Sequence, residues 1–119
     1  MTDLTGVEVV YDQGDEAEEK TVVATDYLTL IGEGFSIVVK NGDVVGRQGA
    51  GAEFLKNFKT VSRRHARFSK EGGKWYVEDL NSTNGTYVNN KPIPPNQKVE
   101  IKDGDVISLS SQVALRVKL

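Results

Sequence analysis

The last seven residues, VALRVKL, alternate without a break. Val113, Leu115, Val117 and Leu119 fall on one side, and Ala114, Arg116 and Lys118 on the other. A period of two separates an apolar face from a polar one along an extended chain, the mark of a half-buried strand. The same pattern returns throughout. SIVVK (36–40) and DVVGR (43–47) flank Asn41-Gly42, a dipeptide suited to a two-residue hairpin because both central residues need positive φ. HARFSK and KWYVEDL flank Glu71-Gly72-Gly73, a second hairpin in which Trp75 and Val77 share a parity and face the core. DGDVISL reads as a turn feeding a strand with Ile107 and Leu109 on one side, and YLTLI supplies another. VEVVY and TVVA, nearer the N-terminus, are weaker strand candidates. Residues 52–59, AEFLKNFK, are the only helix candidate, too short for more than a turn or two inside a loop. Many short strands broken by frequent turns predict a β-sandwich or barrel.

At 119 residues the chain is expected to form one domain. Cysteine is absent and histidine occurs once, which argues against disulfides and transition-metal sites, so no cofactor is expected. No apolar run approaches the length of a membrane span and no signal peptide is evident, so the expected compartment is cytoplasmic, with no membrane partner. The net charge of −2 conceals two unlike parts. Residues 1–26 carry eight acids against Lys20 alone, whereas residues 27–119 carry fourteen bases against nine acids. The division predicted is an acidic N-terminal arm (1–26), either a solvated leader or an added edge strand, and a mildly basic domain (27–119). Such a domain suits an anionic partner.

Catalysis finds little support. His65 stands behind Arg63 and Arg64, whose charges disfavour its protonated form. Neither Ser62 nor Ser82 sits in a nucleophile elbow, and the glycines of GRQGAG have neither P-loop nor dinucleotide-fold spacing. Asp103-Gly104-Asp105 looks like a fragment of a calcium loop without the later ligands, so a plain turn is the expectation. Phosphate binding fits better. Arg47 follows a strand in a glycine-bearing loop, Ser62, Arg63 and Arg64 precede the next, and Thr83, Asn84 and Gly85 lie in a loop of hydroxyls and amides. Loops at one end of a sandwich converge, and together these three offer guanidinium, hydroxyl and amide donors to a dianion.

In order, Gly46-Arg47, Ser62-Arg63-Arg64-His65, STNGTYVNN (82–90) and DGDVISL (103–109) make a series that resembles a forkhead-associated (FHA) domain, across residues 27–119. The resemblance implies an all-β sandwich of about eleven strands whose loops at one end bind phosphothreonine in a partner protein. It implies a non-catalytic module for signalling or regulated assembly, with a Ser/Thr kinase upstream. By the same resemblance, Arg47 grips the phosphate, Ser62 donates to it through hydroxyl and main chain, and Arg63 and Thr83 contribute further contacts. Thr83 also helps shape a methyl pocket. Asn84 bonds the peptide main chain, and Gly46, His65, Gly85 and Asn89 support the site structurally. Arg64 is expected to be a solvated side chain. Three or four charge-assisted hydrogen bonds, less the ordering of a peptide, correspond to about micromolar affinity, roughly −8 kcal/mol.

Other readings stand beside this one. The fold could assemble proteins without phosphate dependence, since fold does not fix function. A nucleic-acid backbone binder would use Arg63, Arg64 and Arg67, but no aromatic residues interleave with them to stack bases. Phosphorylation of Thr21 or Thr25 in the acidic arm would let the arm occupy its own pocket. Preference for residues after the phosphothreonine is expected from Gly42–Asp43, 91–97 or 110–112, without a choice among them.

Overall fold

The structure, a computed structural model, describes residues 26–119. VEVVY, TVVA, Thr21 and Thr25 lie outside the described residues. The strands are β1 (Tyr27–Ile31), β2 (Ser36–Lys40), β3 (Val44–Val45), β4 (Ala66–Glu71) and β5 (Lys74–Asp79). They continue as β6 (Thr86–Val88), β7 (Lys91–Pro92), β8 (Lys98–Ile101), β9 (Val106–Leu109) and β10 (Val113–Lys118), with one short helix, α1 (Ala52–Leu55). These ten strands form two antiparallel sheets, a six-stranded one in the order β2-β1-β10-β9-β6-β7 and a four-stranded one in the order β3-β4-β5-β8. The architecture is the expected all-β sandwich.

Alternation decides which residues meet between the sheets. Leu28 and Leu30 of β1, Ile107 and Leu109 of β9, and Val113, Leu115 and Val117 of β10 are buried from one side. Phe68 of β4, Trp75 and Val77 of β5 and Ile101 of β8 are buried from the other. Leu119 breaks the alternation: it lies one residue past β10 and is exposed. The Glu71–Lys74 hairpin forms as expected, with Gly72 and Gly73 at φ of 60° and 80°. α1 is a single turn that buries Leu55.

Asn41-Gly42 departs from expectation. The turn is there, with the Asp43 N–H donating to Lys40 O at 3.0 Å, but the strands it joins do not pair with each other. β2 pairs with β1, and β3 pairs with β4 in the opposite sheet. Phe68 makes the difference: its carbonyl accepts the Gly42 N–H at 2.7 Å and its N–H donates to Asp43 O at 3.0 Å, drawing the chain across the core. A dipeptide sets the turn, while the tertiary partner decides which sheet the next strand joins.

Candidate functional site

Register places three loops at one level. Val45, the last residue of β3, pairs with Ala66, the first of β4, and Ala66 pairs with Asp79, the last of β5. The segments after Val45, before Ala66 and after Asp79 therefore leave the same edge of the four-stranded sheet. In the other sheet Thr86 pairs with Leu109, which brings the 110–112 loop to the same end.

Gly46 lets the first two loops touch. The Arg47 N–H donates to Ser62 O at 3.1 Å and the Gln48 N–H to Arg63 O at 3.0 Å. A Cβ on Gly46 would lie 2.4 Å from Arg63 O and 2.7 Å from Ser62 O, so only glycine permits this approach. Arg47 is half-buried, and its Nε donates to the carbonyl of Val61. That bond fixes one side of the guanidinium beside Ser62.

His65 is fully buried and joins two loops. Its Nδ1 accepts the Ser62 N–H at 3.0 Å, so the ring proton resides on Nε2, which donates to Gly85 O at 2.8 Å. Burial lowers the imidazole pKa below its ordinary value of 6.5, against the opposing pulls of the Gly85 carbonyl and the Asp79 carboxylate. The neutral ring is a two-ended strut, with no nitrogen left for proton transfer. The bond also sharpens the role of Ser62, whose main-chain N–H is already given to His65. Of the two Ser62 donors, the hydroxyl remains.

That hydroxyl is oriented in turn. Ser62 Oγ accepts the Thr83 N–H at 3.0 Å, which leaves its own proton to be donated elsewhere. Asn84 Nδ2 donates to Thr60 O at 2.9 Å, tying the third loop to the second. Asp79 holds the third loop from below: its carboxylate accepts the Ser82 N–H at 3.2 Å, the Ser82 hydroxyl at 2.5 Å and the Thr86 hydroxyl at 2.7 Å. The Gly85 N–H closes the turn on Ser82 Oγ at 3.0 Å. The 110–112 loop joins through a hydrogen bond between the Thr60 and Ser110 hydroxyls, 2.9 Å apart, and through the Thr60 hydroxyl donating to Gln112 Oε1 at 2.9 Å. Gly85 O accepts a second donor, the Ser110 N–H, at 2.9 Å.

The structure thus brings Gly46, Arg47, Ser62, Arg63, His65, Thr83, Asn84 and Gly85 to one end of the sandwich. Arg63, Thr83 and Asn84 are exposed there. Asn89 is elsewhere: it follows the far end of β6 and clamps the start of β9 by accepting the Val106 N–H at 2.9 Å and donating to Asp105 at 3.1 Å. It supports the strand pair that carries the loop rather than the loop itself. Asp103 and Asp105 act as turn acceptors, for the Leu119 N–H at 2.9 Å and the Lys102 N–H at 2.8 Å. Among the described residues no group of acidic or histidine side chains is arranged to hold a metal ion.

The sequence reading missed Asp79, Ser82, Thr60 and Ser110 as organisers. For Asp79 a signal existed. It shares the parity of Trp75 and Val77, so alternation puts a carboxylate on the buried face, where it must find donors. For Thr60 and Ser110 there was none, because fifty positions separate them.

Comparison with known proteins agrees with this architecture. Residues 43–110 match the family description of the FHA domain. The chain is 34% identical over 87 residues to an FHA domain-containing protein of Arabidopsis thaliana, covering 71% of this chain and 22% of that protein. It is 38% identical over 87 residues to the FHA domain-containing protein FhaA of Mycobacterium tuberculosis, covering 72% and 16%. The chain therefore spans about a fifth of the length of the curated relatives it matches. Among solved structures, an FHA domain studied for phosphothreonine-dependent interactions superposes with a TM-score of 0.65 at 36% identity, covering 78% of this chain and 96% of that one. The human APLF FHA domain, solved in complex with an XRCC1 bisphospho peptide, gives a TM-score of 0.64 at 25% identity, covering 78% of this chain and 98% of that one. The family match covers more than half of the chain and these relatives agree with it, and the chain belongs to the FHA domain family.

Proposed function

We propose that the loop end of this sandwich binds phosphothreonine in a partner protein and performs no chemistry on it. One observation carries the reading. The Arg47 guanidinium is anchored through Nε beside Ser62, and the Ser62 hydroxyl already accepts the Thr83 N–H, so its proton is left for an anion. A phosphothreonine brings a charge of about −1.5 to −2 and three acceptor oxygens, which suit a fixed guanidinium and an oriented hydroxyl. Arg63 and Thr83 stand beside them as further donors, and Asn84 at the rim as the contact for the peptide main chain. The relatives solved with phosphopeptides support phosphoprotein partners. A Ser/Thr kinase would write the mark.

Support for a binding role without catalysis comes from the histidine. Both ring nitrogens of His65 are engaged, and the Asp79 carboxylate accepts three hydrogen bonds in the interior. His65 is committed to joining two loops, and Asp79 holds the Ser82 and Thr86 hydroxyls as part of the turn.

Calorimetry with a phosphothreonine peptide library and its unphosphorylated counterpart tests the proposal. The expected result is about micromolar binding of phosphorylated members and none by the counterparts. Equal binding of both would replace this reading with phosphate-independent assembly.

A further inference from the structure

The basic residues at the loop end exceed what one phosphate requires. Residues 46–65 hold five of them, Arg47, Lys59, Arg63 and Arg64 among these, against the single acid Glu53. The loops at 80–85 and 110–112 carry no charge, and the β1–β2 turn adds only Glu33. Among the described residues two cations elsewhere have carboxylate partners: Lys70 lies 3.6 Å from Asp26, and Lys98 is paired with Glu71. Among the described residues Arg63, Arg64 and Lys59 have no such carboxylate, and all three are exposed. Arg47 is anchored through its side chain to the Val61 carbonyl, whereas the exposed side chains of Lys59, Arg63 and Arg64 face solvent.

Position makes the surplus relevant. Arg64 lies two residues from Ser62, in the segment whose carbonyls at Ser62 and Arg63 hold the Arg47 loop. Lys59 precedes Thr60, whose carbonyl holds Asn84. The cations therefore flank the candidate phosphate seat on both sides along the 59–64 segment. A lone dianion leaves this field only partly compensated, and like charges crowded at a surface attract further anions.

We infer that the partner segment is acidic around its phosphothreonine, with aspartate or glutamate side chains engaging Arg64 and Lys59. This rests on the phosphothreonine reading and specifies the class of peptide that the site selects.

Calorimetry on the full chain, with three peptides sharing one phosphothreonine, separates the two ideas. The flanking positions carry glutamate, alanine or lysine. The expected order is glutamate tightest, with an advantage over alanine of roughly fivefold at low salt. At about 0.5 M salt that advantage collapses toward unity, because screening there acts within a few ångströms. Arg64→Ala should remove the glutamate advantage and leave the affinity for the alanine-flanked peptide unchanged. Equal affinity for the glutamate and alanine peptides, or an Arg64→Ala variant that weakens both alike, overturns the inference while the phosphothreonine reading stands. If none of the three binds, the phosphothreonine reading falls, and this one with it.

Discussion

The Ser62 hydroxyl accepts the main-chain N–H of Thr83 at 3.0 Å, across twenty-one positions of sequence. The contact makes one loop the template for another and fixes which way the Ser62 proton can point. Ser62→Ala should therefore weaken phosphopeptide binding about 10- to 100-fold, the range for one charge-assisted hydrogen bond. Thr83 is exposed, so water can replace the lost acceptor, and stability should fall by no more than about 1 kcal/mol. Paired calorimetry and urea unfolding measure the two effects separately.

Arg47 has a structural duty as well as a proposed binding one. Its Nε satisfies the Val61 carbonyl, and the residue is half-buried rather than freely exposed. Arg47→Ala should abolish measurable phosphopeptide binding and also lower stability by about 1–2 kcal/mol, the low end for a part-buried bond from a charged group. Arg47→Lys keeps the charge but not the planar fork, and should restore little of the affinity. Full affinity in a folded Arg47→Ala protein would sink the assignment.

Gly46→Ala tests the close approach of the loops. The added methyl would meet two carbonyl oxygens at 2.4 and 2.7 Å, and both belong to backbone that cannot rotate away. Forcing the segments apart should destabilise the protein by about 1–3 kcal/mol and displace Arg47 from Ser62. The amide resonances of Arg47 and Gln48 should shift as their bonds to Ser62 and Arg63 lengthen.

His65 gives the protein a defined response to acid. Its folded pKa lies below the ordinary 6.5 because the ring is buried, so below pH 6.5 the unfolded chain binds the proton more readily than the folded one. The stabilisation from the neutral ring is complete above pH 6.5, declines as pH falls through that value, and levels off below the folded pKa. Protonation of Nδ1 also removes the acceptor for the Ser62 N–H, so peptide affinity should fall as pH drops through the lowered folded pKa, at the acid end of that window. His65 is the only histidine, so its ring proton resonance reports the titration directly. A midpoint above 6.5 would contradict the burial argument.

Asp79→Ala should be among the more damaging single changes. It strands the buried Thr86 hydroxyl, at about 1–3 kcal/mol for a group left unsatisfied, and releases two half-buried donors of Ser82 that water can reach. Because that carboxylate shapes the 82–85 turn, thermal unfolding and phosphopeptide binding should both be impaired.

Particular residues show where the sequence was readable. Val113, Leu115 and Val117 could be assigned to the core from period two alone, because side-chain direction in a strand is a local property. The Gly72-Gly73 turn was equally local. The order of Arg47, Ser62, Thr83 and Asn84 could be aligned with a family because each motif lies at a strand boundary. The Asn41-Gly42 turn misled, since a turn fixes the chain's reversal but not its pairing partner. Leu119 misled as well, because the apolar alternation runs one residue past the end of the strand at Lys118, where the side chain is exposed.

The sequence by itself determined strand positions, inward faces and the inventory of donors available for an anion. These follow from covalent geometry and from the alternation of apolar residues. Only the tertiary structure decided that β2 and β3 part into different sheets, that the Ser62 N–H is spent on His65, and that Asn89 lies away from the loops. It also set the link from Thr60 to Ser110. Those outcomes depend on which distant groups come within hydrogen-bonding distance once the two sheets close on a shared core, and contacts of that kind leave no periodic trace along the chain.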